Sequence, residues 1–85
     1  MKNKAVIVNV LEISYAGELC FGEIIDSGIV LKPSDKSNIM IWFPVNEILK
    51  IVLPDATEVV GDDIHNIFSI LEDFSARYAL EDKDV

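Results

Sequence analysis

The sequence predicts a small, mainly β fold: a compact, strongly bent barrel of five short strands followed by one C-terminal α-helix. Three observations carry this. Short runs rich in Val, Ile and Leu recur between residues 5 and 53, each closed by Gly, Pro, Asp, Ser or Asn, the pattern of strands separated by tight turns. From Ile64 onward the apolar residues instead fall at helical spacing, at Ile64, Ile67, Phe68, Leu71, Phe74 and Tyr78, which places them on one helix face. Finally, 85 residues of 51% apolar composition allow one domain with a small core, so part of the apolar surface is expected between subunits.

The elements follow in order. Ala5 to Ile13 is Val/Ile/Leu-rich and broken only by Asn9 and Glu12, as expected of a first strand well covered on one face. Ser14-Tyr15-Ala16-Gly17 reads as a turn. In the second strand Leu19, Phe21 and Ile25 then share one face and Cys20, Gly22 and Ile24 the other. Gly22 is expected to mark strong curvature, with a simple bulge as the alternative. Asp26-Ser27-Gly28 carries tight-turn chemistry and predicts a hairpin into a third strand, Ile29 to Lys32. After a polar connection from Pro33 to Asn38, Ile39-Met40-Ile41-Trp42-Phe43 is continuously apolar and predicts a fourth strand buried on both faces. Pro44 ends it. Val45-Asn46-Glu47 is a short turn, Ile48 to Leu53 the fifth strand, and Pro54 closes the barrel. Residues 1–54 thus form the barrel. Residues 55–85 add a linker, an amphipathic helix N-capped near Asp62 and Asp63 and running to about Leu80, and a frayed acidic tail from Glu81 to Val85, all within the same domain.

Charge and composition exclude several classes of function. The net charge is −8, and it is unevenly placed: residues 1–54 hold six acids against five lysines, residues 55–85 nine acids against Arg77 and Lys83. The first part is nearly neutral and the helix and tail carry the acidity, which disfavours general affinity for polyanions and suits a basic partner. Cys20 is the one cysteine and His65 the one histidine, so no disulfide or Cys/His metal site can form within a chain, and His-based acid–base chemistry lacks a second group. Asp55, Glu58, Asp62 and Asp63 are acidic neighbours, but Thr57, Val59 and Gly61 between them do not fit a calcium loop. No phosphate loop, dinucleotide fingerprint or nucleophile elbow occurs. No catalytic residue, metal or cofactor is expected. The first apolar run is interrupted by Asn9 and Glu12 and is too short for a signal core or a membrane span, so a cytoplasmic protein without membrane attachment is expected.

Gly17-Glu18-Leu19-Cys20-Phe21-Gly22-Glu23-Ile24, followed by Ile29-Val30-Leu31-Lys32, the apolar strand ending at Phe43 and the Ile48, Ile51 pattern before Pro54, resembles the Sm-like (LSm) family over about residues 5–54. The resemblance is to a divergent, phage-encoded member. It implies an SH3-like open barrel joined edge to edge into a homo-oligomeric ring, strand four of one subunit pairing with strand five of the next, and single-stranded RNA as ligand. Asp26 matches the family's base-contacting Asp, but Val30 stands where an Asn is expected. Phe43-Pro44-Val45-Asn46 lacks the basic residue of the family's second loop, and the helix follows the barrel instead of preceding it.

Asp26, from the resemblance, Ser27 beside it and Asn46 in the second loop are RNA-binding candidates, and Phe43 joins them because aromatics stack on bases in single-strand binders. For Asp26 and Ser27 the alternative is a hairpin turn satisfied by its own backbone, and for Phe43 a place in the core or an interface. Lys32 and Lys36 flank a loop where they could meet phosphate or simply be solvated. Met40, Ile41, Trp42, Leu49 and Ile51 are the expected subunit-interface residues, Trp42 because large amphipathic aromatics concentrate at interfaces. Two functions stand side by side: a ring-forming Sm-like protein that binds RNA weakly, or a non-enzymatic oligomeric scaffold presenting its acidic helices to a basic protein.

Overall fold

The computed structural model describes residues 3–35 and 38–83, with side chains described as far as Arg77. The described residues form six strands: β1 (Lys4–Asn9), β2 (Ser14–Leu19), β3 (Gly28–Pro33), β4 (Ile41–Pro44), β5 (Ile48–Val52) and β6 (Glu58–Val60), followed by the helix α1 (Ile67–Lys83). They form one antiparallel sheet in the order β4-β3-β2-β1-β5-β6. Its end strands β4 and β6 do not pair, so the sheet does not close on itself.

Alternation decides which side chains point inward. Ile7 lies opposite Tyr15 on one side and Ile51 on the other, and Ile51 lies opposite Val59. One row of apolar side chains therefore crosses four strands. Leu19, Leu31 and Ile41 form a second row, Ile29 and Phe43 a third. On the opposite face Lys4, Glu18 and Lys32 stand directly across from one another on β1, β2 and β3, an alternation of charge suited to solvent. Ile64, Ile67, Leu71 and Phe74 join the inward rows in one core, with Phe68 and Ile70 packed at its margin. The expected helix face is thus realised as far as Phe74. Tyr78 and Leu80 lie outside the described side chains, and Lys36, Asp84 and Val85 outside the described residues.

Several expectations are corrected. The first turn is not Ser14–Gly17 but Asn9–Ile13, where the Asn9 side-chain oxygen accepts hydrogen bonds from the Leu11 and Ile13 amides (2.9 and 3.0 Å) while the Asn9 amide donates to the Ile13 carbonyl. This local amide chemistry outweighs the apolarity of Val10, Leu11 and Ile13, which are left exposed, and Ser14 to Gly17 become strand. The second strand ends at Leu19, because Phe21 and Gly22 both adopt positive φ and turn the chain. A close approach between strands occurs instead at Gly17, where a Cβ would overlap the Lys32 carbonyl of the neighbouring strand. The fourth strand begins at Ile41 rather than Ile39 and is not buried on both faces: Trp42 on it is exposed, as are Ile39 and Met40 before it, because an edge strand has no cover within one chain.

The linker also contains a strand the sequence reading missed. Asp55 accepts a hydrogen bond from the Thr57 amide (3.0 Å), and the Leu53 amide reaches the Thr57 carbonyl, folding the chain back so that β6 pairs with β5. Hydrogen bonds from Thr57, side chain first and backbone second, hold the Asp55 carboxyl below the usual carboxylate range. The Lys50 ammonium reaches Glu58 across this pair at 2.9 Å. Asp62 and Asp63 fall in a 3-10 segment, Gly61–Asn66, that has no side-chain cap, and the α-helix proper starts at Ile67. It continues to Lys83, so Glu81 to Lys83 are helical where a frayed tail was expected.

Ile51 is fully buried (0% exposed) whereas its neighbour Leu49 on the same strand is 45% exposed. Ile51→Ala should lower unfolding free energy by about 2–4 kcal/mol, and Leu49→Ala should stay within about 0.5 kcal/mol, both read from urea denaturation. Equal costs at the two positions would contradict this packing of β5.

Candidate functional site

A concavity lies where three connections meet: the Ile25–Gly28 turn, the end of β4 with the 3-10 turn Val45–Glu47, and the 3-10 segment Gly61–Asn66. It encloses about 520 Å³ and is lined by Asp26, Ser27, Trp42, Asn46 and His65 over an apolar floor that includes Ile48 and Ile64.

Local chemistry builds each wall. Ile25 and Gly28 exchange both backbone hydrogen bonds (2.8 and 2.9 Å), and the two residues between them, Asp26 and Ser27, have φ of 50° and 62°. This is a two-residue turn with both central residues left-handed, so the expected tight turn is present, but it is closed by an isolated bridge between Ile25 and Gly28 and does not extend the second strand, which ends at Leu19. Glycine is the usual occupant of such positions, and Asp tolerates them better than Ser. The Ser27 carbonyl accepts from the Val45 amide at 2.9 Å, which ties this turn to the one after β4. Trp42 is anchored twice. Its indole N–H donates to the Ile25 carbonyl at 2.8 Å, and its ring lies across Gly28 so closely that a Cβ there would overlap it. The indole is nonetheless 46% exposed and forms part of the cleft wall.

Three of the four RNA-binding candidates, Asp26, Ser27 and Asn46, are brought together here with Trp42. Phe43 is not among them. It is 8% exposed, its ring set 5.1 Å from that of Tyr15 in a tilted pair, so it belongs to the core and its face is closed to a base. Strand alternation explains the exchange of roles: neighbours on β4 point to opposite faces, and Phe43 takes the inward one. Lys32 is exposed on β3 and is not part of the cleft.

Of the expected interface residues, Met40 and Trp42 are exposed, Ile41 is half-buried and Leu49 is exposed. Ile51 faces the core and contributes nothing to a surface. The route by which the resemblance would join subunits is also altered, because the outer edge of β5 is already paired with β6 of the same chain. The free edges are those of β4 and β6.

Among the described residues the cleft has one carboxylate, one hydroxyl, one side-chain amide, one imidazole and one indole, and no Lys or Arg. Among the described residues the side chains of Asp26, Ser27, Asn46 and His65 have no hydrogen-bonding or ionic partner within the chain. Ile64 and His65 come from the helix entry, a contribution the sequence reading did not foresee. The missed signal was Gly61 at positive φ (60°), which turns the chain out of β6 and over the cleft. Among the described residues no three His, Cys, Asp or Glu side chains converge as metal ligands, and no helix is long and apolar enough to cross a membrane. Comparison of the chain with protein-family models, curated proteins and solved structures gives no match.

Two substitutions probe this construction. Gly28→Ala should expel the indole from its seat and change the emission of Trp42, the one tryptophan of the chain, whereas an unchanged spectrum would contradict the packing. Ser27→Gly should raise stability by about 1 kcal/mol in thermal or urea unfolding, by relieving the left-handed conformation.

Proposed function

We propose that this chain is a non-enzymatic, homo-oligomeric interaction scaffold that receives a protein partner at the cleft beside β4. The observation that supports this best is the joining of exposed apolar residues, Ile39 and Met40 just before β4 and Trp42 on it, to an open cleft whose polar groups lack internal partners and, among the described residues, include no Lys or Arg. An apolar strand edge of this kind invites pairing with another chain, and such patches mark interaction sites. A phosphate backbone, by contrast, needs cations that the cleft does not have. A second copy is the occupant proposed for the β4 edge. Since β5 is covered, assembly would pair β4 of one subunit with β6 of the next rather than with β5.

The second reading keeps the Sm-like resemblance and single-stranded RNA. It is favoured by the meeting of Asp26, Ser27 and Asn46 with an exposed indole, since an aromatic surface beside hydrogen-bonding groups is how single-strand binders hold a base. Weak, salt-sensitive binding is what this reading requires.

Removing residues 62–85 is not a usable test of either reading, because Ile64, Ile67, Leu71 and Phe74 complete the core and the truncated chain would unfold. Light scattering of the intact chain is the direct measurement. The protein should run as a multiple of its 9.5 kDa mass, and Met40→Lys should shift it to monomer with an unchanged circular dichroism spectrum. A monomeric wild type would sink the oligomer. Filter binding at low salt to U-rich and A-rich RNA separates the two ligand readings: retention supports the second and none supports the first.

A further inference from the structure

The cleft's chemistry narrows the partner further. We propose that it holds an arginine side chain of an extended basic segment of another protein, with the guanidinium beside the Trp42 indole and the Asp26 carboxylate. This rests on the interaction-scaffold reading above.

Three observations converge. First, Trp42 is a fixed platform: the N–H at its edge is used by Ile25, its ring is seated across Gly28, and 46% of the residue remains open. A ring held in this way costs little further ordering when a cation approaches it, and tryptophan is the best aromatic partner for one. Second, the polar atoms around it suit a donor-only ligand. The Asp26 carboxylate, the Ser27 hydroxyl and the Asn46 amide oxygen all accept hydrogen bonds, and a guanidinium carries five N–H donors and no acceptor. Asp26 and Ser27 are presented by a turn closed by two backbone bonds, so their placement does not depend on a mobile loop. Third, among the described residues no Lys or Arg lines the cleft to repel a cation, and the net charge of −8 draws basic segments toward the molecule while opposing polyanions.

A nucleobase could use the indole and the amide, but its phosphates would meet a carboxylate and no cation. Arginine is favoured over lysine because its planar group can lie on the ring while its edge reaches the acceptors, which a compact ammonium cannot do at once.

The test is a titration of the full-length protein, followed by amide chemical shifts and Trp42 fluorescence. The probes are the peptide acetyl-Gly-Arg-Gly-amide, the same peptide with citrulline, which matches arginine in shape but is uncharged, and a U-rich octanucleotide. The arginine peptide should give saturable shifts confined to residues around the cleft. Citrulline, and separately Asp26→Asn, should each weaken binding by about two- to fivefold, the range for an exposed ion pair. Asn tolerates the left-handed conformation at position 26, so this variant should stay folded. Trp42→Phe, followed by shifts alone, should weaken binding while retaining some of it.

Equal, saturable binding of the arginine and citrulline peptides would overturn the arginine inference and leave the scaffold reading standing. Binding of neither peptide by a folded, assembled protein would also overturn it. Shifts at the cleft with the octanucleotide and not with the peptides would overturn both.

Discussion

The structure depends on the contact between the concave face of the sheet and the start of the C-terminal helix. Taken alone, the inner rows of β1, β2, β3 and β5 would leave Ile7, Leu19, Leu31 and Ile51 facing water on one side. The helix entry supplies Ile64, and α1 supplies Ile67, Leu71 and Phe74, to the same core. In a chain of 85 residues the surface buried on folding is a modest fraction of the total. No part of this core is redundant, and the helix is structural before it is anything else. Its acidic outer side can still face a partner, but the element cannot be separated from the domain that carries it.

That contact also shapes the surface. To bring the chain from β5 back across the sheet, residues 53–61 make a tight turn at Asp55-Ala56, add β6 to the edge of β5, and leave through Gly61 toward the helix. One edge of the sheet is thereby covered by three residues of strand, and the 3-10 entry to the helix becomes a wall of the cleft. The β4 edge has no such cover. Its outward side chains are apolar, in contrast to the Lys4, Glu18 and Lys32 row on the sheet's outer face. This asymmetry leaves β4 as the more exposed of the two edges.

The cleft is an outcome of backbone economy at the Ile25–Gly28 turn. Glycine at position 28 lets the indole of Trp42 lie against the backbone, and the left-handed residues before it lift Asp26 and Ser27 to the rim. Holding Ser in that conformation is an expense that the core must offset, and strained turns of this kind collect where a side chain has to be presented. The chemistry displayed is that of acceptors around an anchored ring.

The class of the fold, the C-terminal helix, the Asp26-Ser27-Gly28 tight turn and the extent of the third and fifth strands were legible in the sequence, because each depends on local periodicity or on residues with a backbone preference of their own. What sequence reasoning misplaced was equally physical. Val10, Leu11 and Ile13 look like strand by hydropathy, and one side-chain amide, Asn9, folds them into a loop. Glu58 to Val60 look like linker, and pairing with β5 makes them a strand. The run from Ile39 to Phe43 looks doubly buried, yet its position at the sheet's edge leaves half of it exposed. Asp26, Ser27 and Asn46 were named from the sequence, but their meeting with Trp42 rather than Phe43 was decided by the pleat of β4. Their enclosure by His65 was decided by where the helix entry crosses. Periodicity along the chain determines what a segment can be, whereas which face and which edge it presents is set by neighbours far away in sequence, and only the tertiary structure supplies those.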